Sequence, residues 1–182
     1  YTQLLSVDST YHIWAKDSNS CISKNPLHLT IDTNVTISNV VFNPCIPIGA
    51  GSIPVMVYTS GGNGGNYAIS TNSGTSWSPF GTYTISLPVG TSYLIQSKDT
   101  KNCKSATYPI SIPNELVIDA LMTSWVSCSG LHDGAANTVV TGGVVPYSFS
   151  WTGPSGFNAQ TKEISSLYAG KYIVSVSDSN QC

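Results

Sequence analysis

The sequence predicts an all-β sandwich, and three observations point to this fold class. Short runs of β-branched and aromatic residues alternate with polar ones, as in Val55–Tyr58 and Tyr172–Val176, which is the period of a half-buried strand. Clusters rich in Gly, Asn, Ser and Pro separate the runs, as in 60–66 and 153–156, and these residues favour turns. No window carries the 3.6-residue period of a helix. Many short strands joined by frequent turns are typical of a β-sandwich.

The composition of the 182-residue chain excludes several classes of function. Only 9% of the residues are charged, and 46 Ser and Thr residues supply the polarity instead. All seven basic residues are lysines and the net charge is −2, so we expect no nucleic-acid partner. No apolar run approaches the ~20 residues of a membrane span, so we expect none in this segment.

The two ends of the sequence also carry an expectation. The chain opens at Tyr1 without the basic and apolar regions of a signal peptide, and it closes at Cys182 straight after a strand-like run. We therefore expect it to be a segment of a longer protein.

An internal repeat of about 80 residues runs through the sequence. Each copy has a tyrosine, an aspartate six residues later and a cysteine four residues after that: Tyr11, Asp17 and Cys21; Tyr93, Asp99 and Cys103; Tyr172, Asp178 and Cys182. This period fits one small sandwich per repeat. We therefore predict the closing strands of one repeat in 1–29, a complete repeat in 30–113, and a repeat lacking its last strand in 114–182.

A leucine and a glycine precede the repeated tyrosine in two of the copies, which contain Leu87, Gly90 and Tyr93, and Leu167, Gly170 and Tyr172. This pattern resembles the tyrosine corner of immunoglobulin-like sandwiches, in which the tyrosine hydroxyl bonds to nearby backbone. Ligand binding by these tyrosines is the alternative, and the structural role is favoured. We therefore predict tandem immunoglobulin-like or fibronectin-III-like β-sandwich repeats of about 80 residues.

The repeated aspartate, at Asp17, Asp99 and Asp178, ends a strand and precedes a polar hairpin. An aspartate in that place makes an Asx-turn with the backbone that follows. A calcium site is the alternative, but it needs several converging oxygen ligands and each copy offers one carboxylate. The turn is favoured, and we expect no metal and no cofactor.

Five cysteines follow the same repeat, with early ones at Cys45 and Cys128 and late ones at Cys21, Cys103 and Cys182. No Cys-x-x-Cys pair is present, so disulfides in an oxidising compartment are favoured over zinc. Pairing within repeats gives Cys45–Cys103 and Cys128–Cys182, with the partner of Cys21 outside the sequence. Pairing across repeats gives Cys21–Cys45 and Cys103–Cys128. Bonds within a repeat keep folding local, so the first pairing is favoured, and free buried thiols remain a third possibility.

The third copy carries a longer motif, which reads Cys128-x-Gly-x-x-Asp133-Gly134, then Gly142-Gly143-x-x-Pro146-Tyr147-x-x-x-Trp151, then Leu167-x-x-Gly170-x-Tyr172, then Asp178-x-x-x-Cys182. It resembles the SprB-type repeat of Bacteroidetes cell-surface adhesins, and the resemblance covers almost all of 128–182. The middle copy is a looser relative. It has a similar run from Tyr67 to Trp77, but it lacks Asp-Gly after Cys45 and the Pro-Tyr-x-x-x-Trp strand.

This resemblance implies a very large protein of many repeats, exported by the type IX secretion system and displayed on the outer cell surface. It implies a role in adhesion or gliding motility. The implied partners are neighbouring repeats of the same chain and a surface polysaccharide or substratum. Secretion and gliding machinery would act elsewhere in the chain. The implied role of this segment is that of a stalk.

A carbohydrate-binding or spacer module of a secreted protein is the alternative function. Trp77 follows a glycine-rich loop and is the best candidate for an exposed ring that stacks on a sugar. Trp151, by contrast, aligns with the core tryptophan of immunoglobulin-like sandwiches. Asn34-Val35-Thr36 is a glycosylation sequon, which keeps a eukaryotic secreted protein as a further alternative.

An enzyme is not expected. The three histidines, His12, His28 and His132, do not share a position in the repeat. The two glutamates, Glu115 and Glu163, fall in different places of the repeat array, which argues against a pair of carboxylates in one glycosidase site.

Overall fold

The computed structural model describes residues 4–6 and 9–182. Within these residues the regular structure consists of strands and one 3₁₀ turn at Pro154–Gly156, without an α-helix. The strands are β1 (Ser9–Ile13), β2 (Leu27–Ile31), β3 (Thr33–Val41), β4 (Ser52–Gly62), β5 (Ala68–Ser70), β6 (Thr84–Pro88), β7 (Thr91–Lys98), β8 (Tyr108–Ile112), β9 (Val117–Ser124), β10 (Gly134–Thr141), β11 (Ser148–Thr152), β12 (Asn158–Ala159), β13 (Glu163–Leu167) and β14 (Ile173–Ser177). The predicted all-β sandwich is confirmed.

Alternating burial along the strands explains why these residues form them. In β4, Ile53, Val55 and Val57 are buried, and the residues between them are exposed. In β7, Ile95 and Ser97 are buried in the same alternation. Because successive side chains of a strand point to opposite faces, one face of each strand packs inward and the other meets solvent.

Two successive sets of strands, β3–β8 (the middle set) and β9–β14 (the last set), share the strand order of one sheet and one strand pair of the other. The middle set forms the sheets β3-β4-β6 and β5-β7-β8. The last set forms β9-β10-β13 and β12-β11-β14, in which β11 and β14 pair as β5 and β7 do. The last set adds β12, and its described residues contain no strand that matches β8. Ahead of both sets, β1 pairs with β2.

The chain packs as two compact units. One comprises Tyr1–Val41, Met56–Ile85 and Tyr93–Ile110, and the other comprises Phe42–Val55, Ser86–Ser92 and Ser111–Cys182. The boundaries predicted near residues 30 and 113, and with them the division into tandem repeats, stay predictions. Residues 1–3, 7 and 8 of the predicted first segment lie outside the described residues.

Trp151 lies at the centre of a core in the second unit. Its ring is 1% exposed and packs with Ala136, Ile164 and Leu167. Its indole Nε1 donates a hydrogen bond of 2.9 Å to the carbonyl of Thr161. This buried and bonded ring is the core tryptophan that the sequence predicts at this position.

Candidate functional site

Three turns of identical geometry carry the repeated aspartate and the late cysteine. We call them Asp turns and define them as Asp17–Cys21, Asp99–Cys103 and Asp178–Cys182. In each, the aspartate Oδ1 accepts the backbone N–H groups two and four residues later, at 2.8–3.0 Å. The residue before the cysteine has a positive φ of 64–71°. The Asx-turn interpretation is therefore confirmed.

The carboxylates of Asp99 and Asp178 are buried, at 1% and 4% exposure, and each accepts one more hydrogen bond. Oδ2 of Asp99 accepts the N–H of Asn63 at 3.2 Å, and Oδ2 of Asp178 accepts the N–H of Val144 at 2.9 Å. The Asp turns at Asp99 and Asp178 thus each anchor a second loop, because one buried carboxylate satisfies three backbone donors.

A pair of glycines precedes each of these anchored residues. Gly61 and Gly142 both have a positive φ, and a Cβ at either would overlap a backbone carbonyl oxygen, that of Asn34 or that of Glu115. At the second glycine of each pair, a Cβ would lie 2.6 Å or 2.9 Å from Oδ2 of the anchoring aspartate. Glycine is therefore required at these positions for two reasons: the backbone has a positive φ, and neighbouring atoms leave no space for a Cβ.

A tyrosine hydroxyl donates a hydrogen bond to the first glycine of each pair, and we call Tyr67 and Tyr147 the closing tyrosines. The Tyr67 hydroxyl donates to the carbonyl of Gly61 at 2.7 Å, and the Tyr147 hydroxyl donates to the carbonyl of Gly142 at 2.6 Å. Sequence analysis missed this correspondence, because Tyr67 follows its glycine by six residues and Tyr147 by five. The middle copy therefore contains the same contact without the Pro-Tyr motif.

The Asp178 carboxyl has a shifted pKa with opposing causes. Burial raises the pKa, but the backbone N–H groups of Cys182, Val144 and Asn180 lower it, and the net pKa lies below the ordinary value of 3.8. The carboxylate is consequently the favoured form in the folded chain, and it holds the last Asp turn in place at neutral pH.

The cysteine pairing differs from the prediction. Cys45 is bonded to Cys182, with a Cα–Cα distance of 5.1 Å, so the favoured pairs Cys45–Cys103 and Cys128–Cys182 are not formed. Neither are the alternative pairs Cys21–Cys45 and Cys103–Cys128, since Cys21, Cys103 and Cys128 are free and exposed. A disulfide is present, as predicted, but it joins an early cysteine to the late cysteine of the following copy. Closing this loop of 137 residues stabilises the fold by about 5 kcal/mol in the chain-entropy model.

A series of contacts explains why Cys182 reaches Cys45. The last Asp turn packs on Gly143 through Asp178, and Gly142 packs against the backbone of Glu115. The carboxylate of Glu115 accepts the N–H of Gly49, which lies in the loop that contains Cys45. We call this β3–β4 connection, residues 42–51, the Cys45 loop.

The ends of the Cys45 loop are held by further polar contacts. The N–H of Cys45 donates to Oδ1 of Asn43 at 3.0 Å, and the carbonyl of Gly51 accepts the N–H of Val89 at 3.3 Å. The turn after β6 is in turn held by a bond of 3.3 Å from the N–H of Gly90 to the carbonyl of Pro113. The disulfide therefore belongs to a polar cluster within the second unit.

The Asp-Gly motif after Cys128 organises the loop that carries this cysteine. Asp133 accepts the N–H of Ser127 at 3.0 Å and its hydroxyl at 2.6 Å. These hydrogen bonds from Ser127 hold the pKa of the Asp133 carboxyl below its usual value. The motif thus fixes the backbone beside an exposed thiol.

The residues of the predicted tyrosine corners differ in burial. Leu87 and Leu167 are buried, and the glycines Gly90 and Gly170 are exposed. The Tyr172 hydroxyl donates to the carbonyl of Tyr168 at 3.2 Å, which is the contact that the corner interpretation predicts. Tyr93, the matching tyrosine of the middle copy, is half-buried.

Trp77 is not the exposed ring that the sequence suggested. It is half-buried, and the ammonium groups of Lys98 and Lys104 lie over it at 4.8 Å and 5.5 Å from the ring centre. Lys98 also lies 5.7 Å from the ring of Phe80. This cluster could not be predicted from the sequence, because Lys98 and Lys104 become neighbours only when they pair across the second Asp turn.

The most exposed tryptophan is Trp125, at 88%. It borders an open apolar cleft of about 440 Å³, whose lining includes Leu121, Trp151, Leu167 and Tyr172. The cleft lies in the last set of strands.

The fold and the site together define an all-β sandwich protein with Asp turns, two of which have a buried carboxylate, and a disulfide. Comparison with models of known protein families finds no match, and comparison with curated proteins finds none either. The described residues contain no helix that is long and apolar enough to cross a membrane, and no cluster of three or more His, Cys, Asp or Glu suited to a metal ion.

Proposed function

We propose that this chain is a stalk segment of a very large cell-surface adhesin that serves surface attachment or gliding motility. The proposal combines the resemblance to SprB-type repeats with the recurring architecture of the chain. The order of one sheet, the Asp turn, the glycine pair and the tyrosine that bonds to it all recur at the repeat period. Such recurrence is what a protein built by stacking similar modules requires.

The observation that carries the stalk role is the linkage of the Cys45 loop to residues of the following copy. A disulfide joins Cys45 to Cys182, and Glu115 accepts the N–H of Gly49. Two successive copies of the sequence repeat are thus held by a covalent bond as well as by the chain between them. Covalent linkage of successive copies supports the role of a stalk.

Two further features fit the outer cell surface. Disulfides persist in oxidising compartments. The polar surface is supplied mainly by hydroxyl groups rather than charges, since only 9% of the residues are charged. Display through type IX secretion, and a bacterial source with gliding motility, come to this chain from the family resemblance alone.

Labelling of intact cells tests the proposal. Antibodies raised against this 182-residue fragment are applied to living, unpermeabilised cells of the source organism, with an antibody to a cytoplasmic protein as the control. We expect label on the outer surface, and label that travels along the cell would identify a motile adhesin. Label that appears only after permeabilisation, or only in the medium, would contradict the surface role.

A second candidate function is the binding of an acidic polysaccharide at Trp77. Lys98 and Lys104 place two ammonium groups over one aromatic ring, and no ion pair of the described residues includes either of them. Lys98 donates a hydrogen bond of 3.1 Å to Oδ1 of Asn102, but neither ammonium group has a carboxylate partner among the described residues. Two such cations over an aromatic ring suit a carboxylated sugar, whose carboxylate bonds the ammonium groups while its ring contacts the aromatic surface. A neutral sugar would find the ring face occupied by the lysine side chains.

Binding to polygalacturonate, with dextran as the neutral comparison, tests this second candidate. Lys98→Gln/Lys104→Gln should weaken binding about tenfold or more, because two charge-assisted contacts are lost. Lys162→Gln/Lys171→Gln is the matched control with the same change in net charge. Equal loss in both variants would indicate a nonspecific charge effect and exclude the site.

A further inference from the structure

We propose that in the intact protein one disulfide, which we call a staple, joins the early cysteine of each repeat to the late cysteine of the next. The three free cysteines of this chain are then bonded to cysteines of neighbouring repeats. This inference rests on the proposed function, because it requires a tandem array. It concerns Cys21, Cys103 and Cys128, which are exposed thiols in the structure.

The two bonded cysteines occupy places that recur. Cys45 lies between the first and second strands of the middle set, and Cys128 lies between the first and second strands of the last set. These are the early positions. The late cysteines, Cys21, Cys103 and Cys182, each end an Asp turn with the same hydrogen bonds from Oδ1. The bond in the structure therefore joins the early cysteine of one repeat to the late cysteine of the next.

The same rule applied along the chain accounts for every free cysteine. The bonded pair is separated by 137 residues. At that spacing the partner of Cys21 or Cys103 lies before residue 1, and the partner of Cys128 lies after residue 182. Cys45 and Cys182 are already bonded to each other, and Cys21, Cys103 and Cys128 are free rather than bonded among themselves. By this rule each of the three thiols pairs with a cysteine of a repeat outside this sequence.

Hydrogen bonds hold the segments that carry two of these exposed thiols. The second Asp turn, like the last, is anchored by its buried aspartate to the loop after a glycine pair, through Asn63. The loop of Cys128 is fixed by the hydrogen bonds from Ser127 to Asp133. Cys103 and Cys128 are thus exposed on segments of the chain that side-chain hydrogen bonds hold in place.

Formation of each staple is a two-electron oxidation. The two thiols lose two protons and two electrons, and the new sulfur–sulfur bond replaces the two S–H bonds. The electrons pass to the disulfide of a thiol–disulfide oxidoreductase, which leaves as its dithiol. A thiolate of the repeat attacks the oxidant disulfide first, and the partner cysteine then displaces the oxidant from the mixed disulfide.

Disulfide mapping of the protein purified from its source cells tests this inference. The protein is trapped with N-ethylmaleimide, digested without reductant and analysed by mass spectrometry. We expect Cys128 linked to a peptide from outside this sequence whose cysteine lies four residues after an aspartate. We expect Cys103 linked to a peptide that precedes this sequence. The Cys45–Cys182 peptide pair is the internal control for trapping.

A maleimide adduct on Cys103 or Cys128, or a bond between any two of Cys21, Cys103 and Cys128, would overturn the inference. The outcome is separable from that of the cell-labelling test. If the disulfides are found but intact cells carry no surface label, the disulfide inference stands and the adhesin function is wrong. If cells carry surface label but the thiols are free, the adhesin function stands and the disulfide inference is wrong.

Discussion

The Asp turns at Asp99 and Asp178 have the same hydrogen bonds, but only one of their two cysteines forms a disulfide. Both aspartates are buried, both accept three backbone N–H groups, and both anchor the residue after a glycine pair. Cys182 nevertheless bonds to Cys45, and Cys103 is free. The turn is encoded by residues that lie close together in sequence, whereas the bond depends on which other segment lies opposite the turn.

Removing the disulfide gives the largest expected difference between these two regions. Cys45→Ser/Cys182→Ser should lower the free energy of unfolding by about 2–5 kcal/mol, because the loop of 137 residues is no longer closed in the unfolded chain. Cys103→Ser/Cys128→Ser, the matched control, should stay within about 0.5 kcal/mol of the parent. Urea unfolding under non-reducing conditions measures both. Similar losses in the two variants would show that the two Asp turns are not distinguished by a bond.

Substitution of the first glycine of each pair should destabilise the two regions to a similar extent. Gly61→Ala and Gly142→Ala should each cost about 2–5 kcal/mol, because a Cβ overlaps a carbonyl oxygen and φ is positive. Gly64→Ala is the control, since its φ is also positive and nothing lies within 4 Å of its Cβ; about 1 kcal/mol is expected. The measurement is again denaturant unfolding. A cost at Gly61 or Gly142 no greater than at Gly64 would refute the close approach.

The closing tyrosines should show a smaller and equal effect. Tyr67→Phe and Tyr147→Phe each remove one hydroxyl bonded to a glycine carbonyl, at a cost of about 1 kcal/mol. Tyr83→Phe removes a similar bond to Gly65 from an exposed side chain, where water can replace it, so a smaller loss is expected. Thermal unfolding of the three variants under one condition ranks them. Equal melting temperatures for the Tyr67 and Tyr83 variants would argue against a role for the buried hydroxyl.

Acid should weaken the last Asp turn. The pKa of Asp178 is lowered in the folded chain, so its contribution to stability is full above the ordinary pKa of 3.8. That contribution is lost as the pH falls from this value through the lower folded pKa. Asp178→Asn should therefore melt below the parent at pH 7, and the difference should shrink below pH 4. A difference in melting temperature that is constant from pH 2 to pH 7 would exclude the carboxylate as its source.

The sequence was sufficient for features whose cause is local. Alternating burial in β4, the Asx-turn at Asp178 and the buried place of Trp151 all follow from residue type and short spacing. It was not sufficient where the partner is distant. The bond from Cys182 to Cys45 depends on how Gly142, Glu115 and the Cys45 loop pack together, and the repeat pattern alone allowed two other pairings.

Two other features also could not be predicted from the sequence. The match between Tyr67 and Tyr147 is masked by one extra residue in the glycine-rich loop, although both tyrosines bond the first glycine of a pair. The exposure of Trp77 was overestimated because its loop is rich in glycine. Folding brings Lys98 and Lys104 over its ring from a strand and a hairpin that lie later in the chain.

The number of free thiols in the native 182-residue chain tests the central claim most directly. The oxidised protein is treated with N-ethylmaleimide and its intact mass is measured. The structure predicts three adducts, on Cys21, Cys103 and Cys128, because one disulfide joins Cys45 to Cys182. Either pairing suggested by the repeat alone would leave a single free thiol, so one adduct would contradict the account.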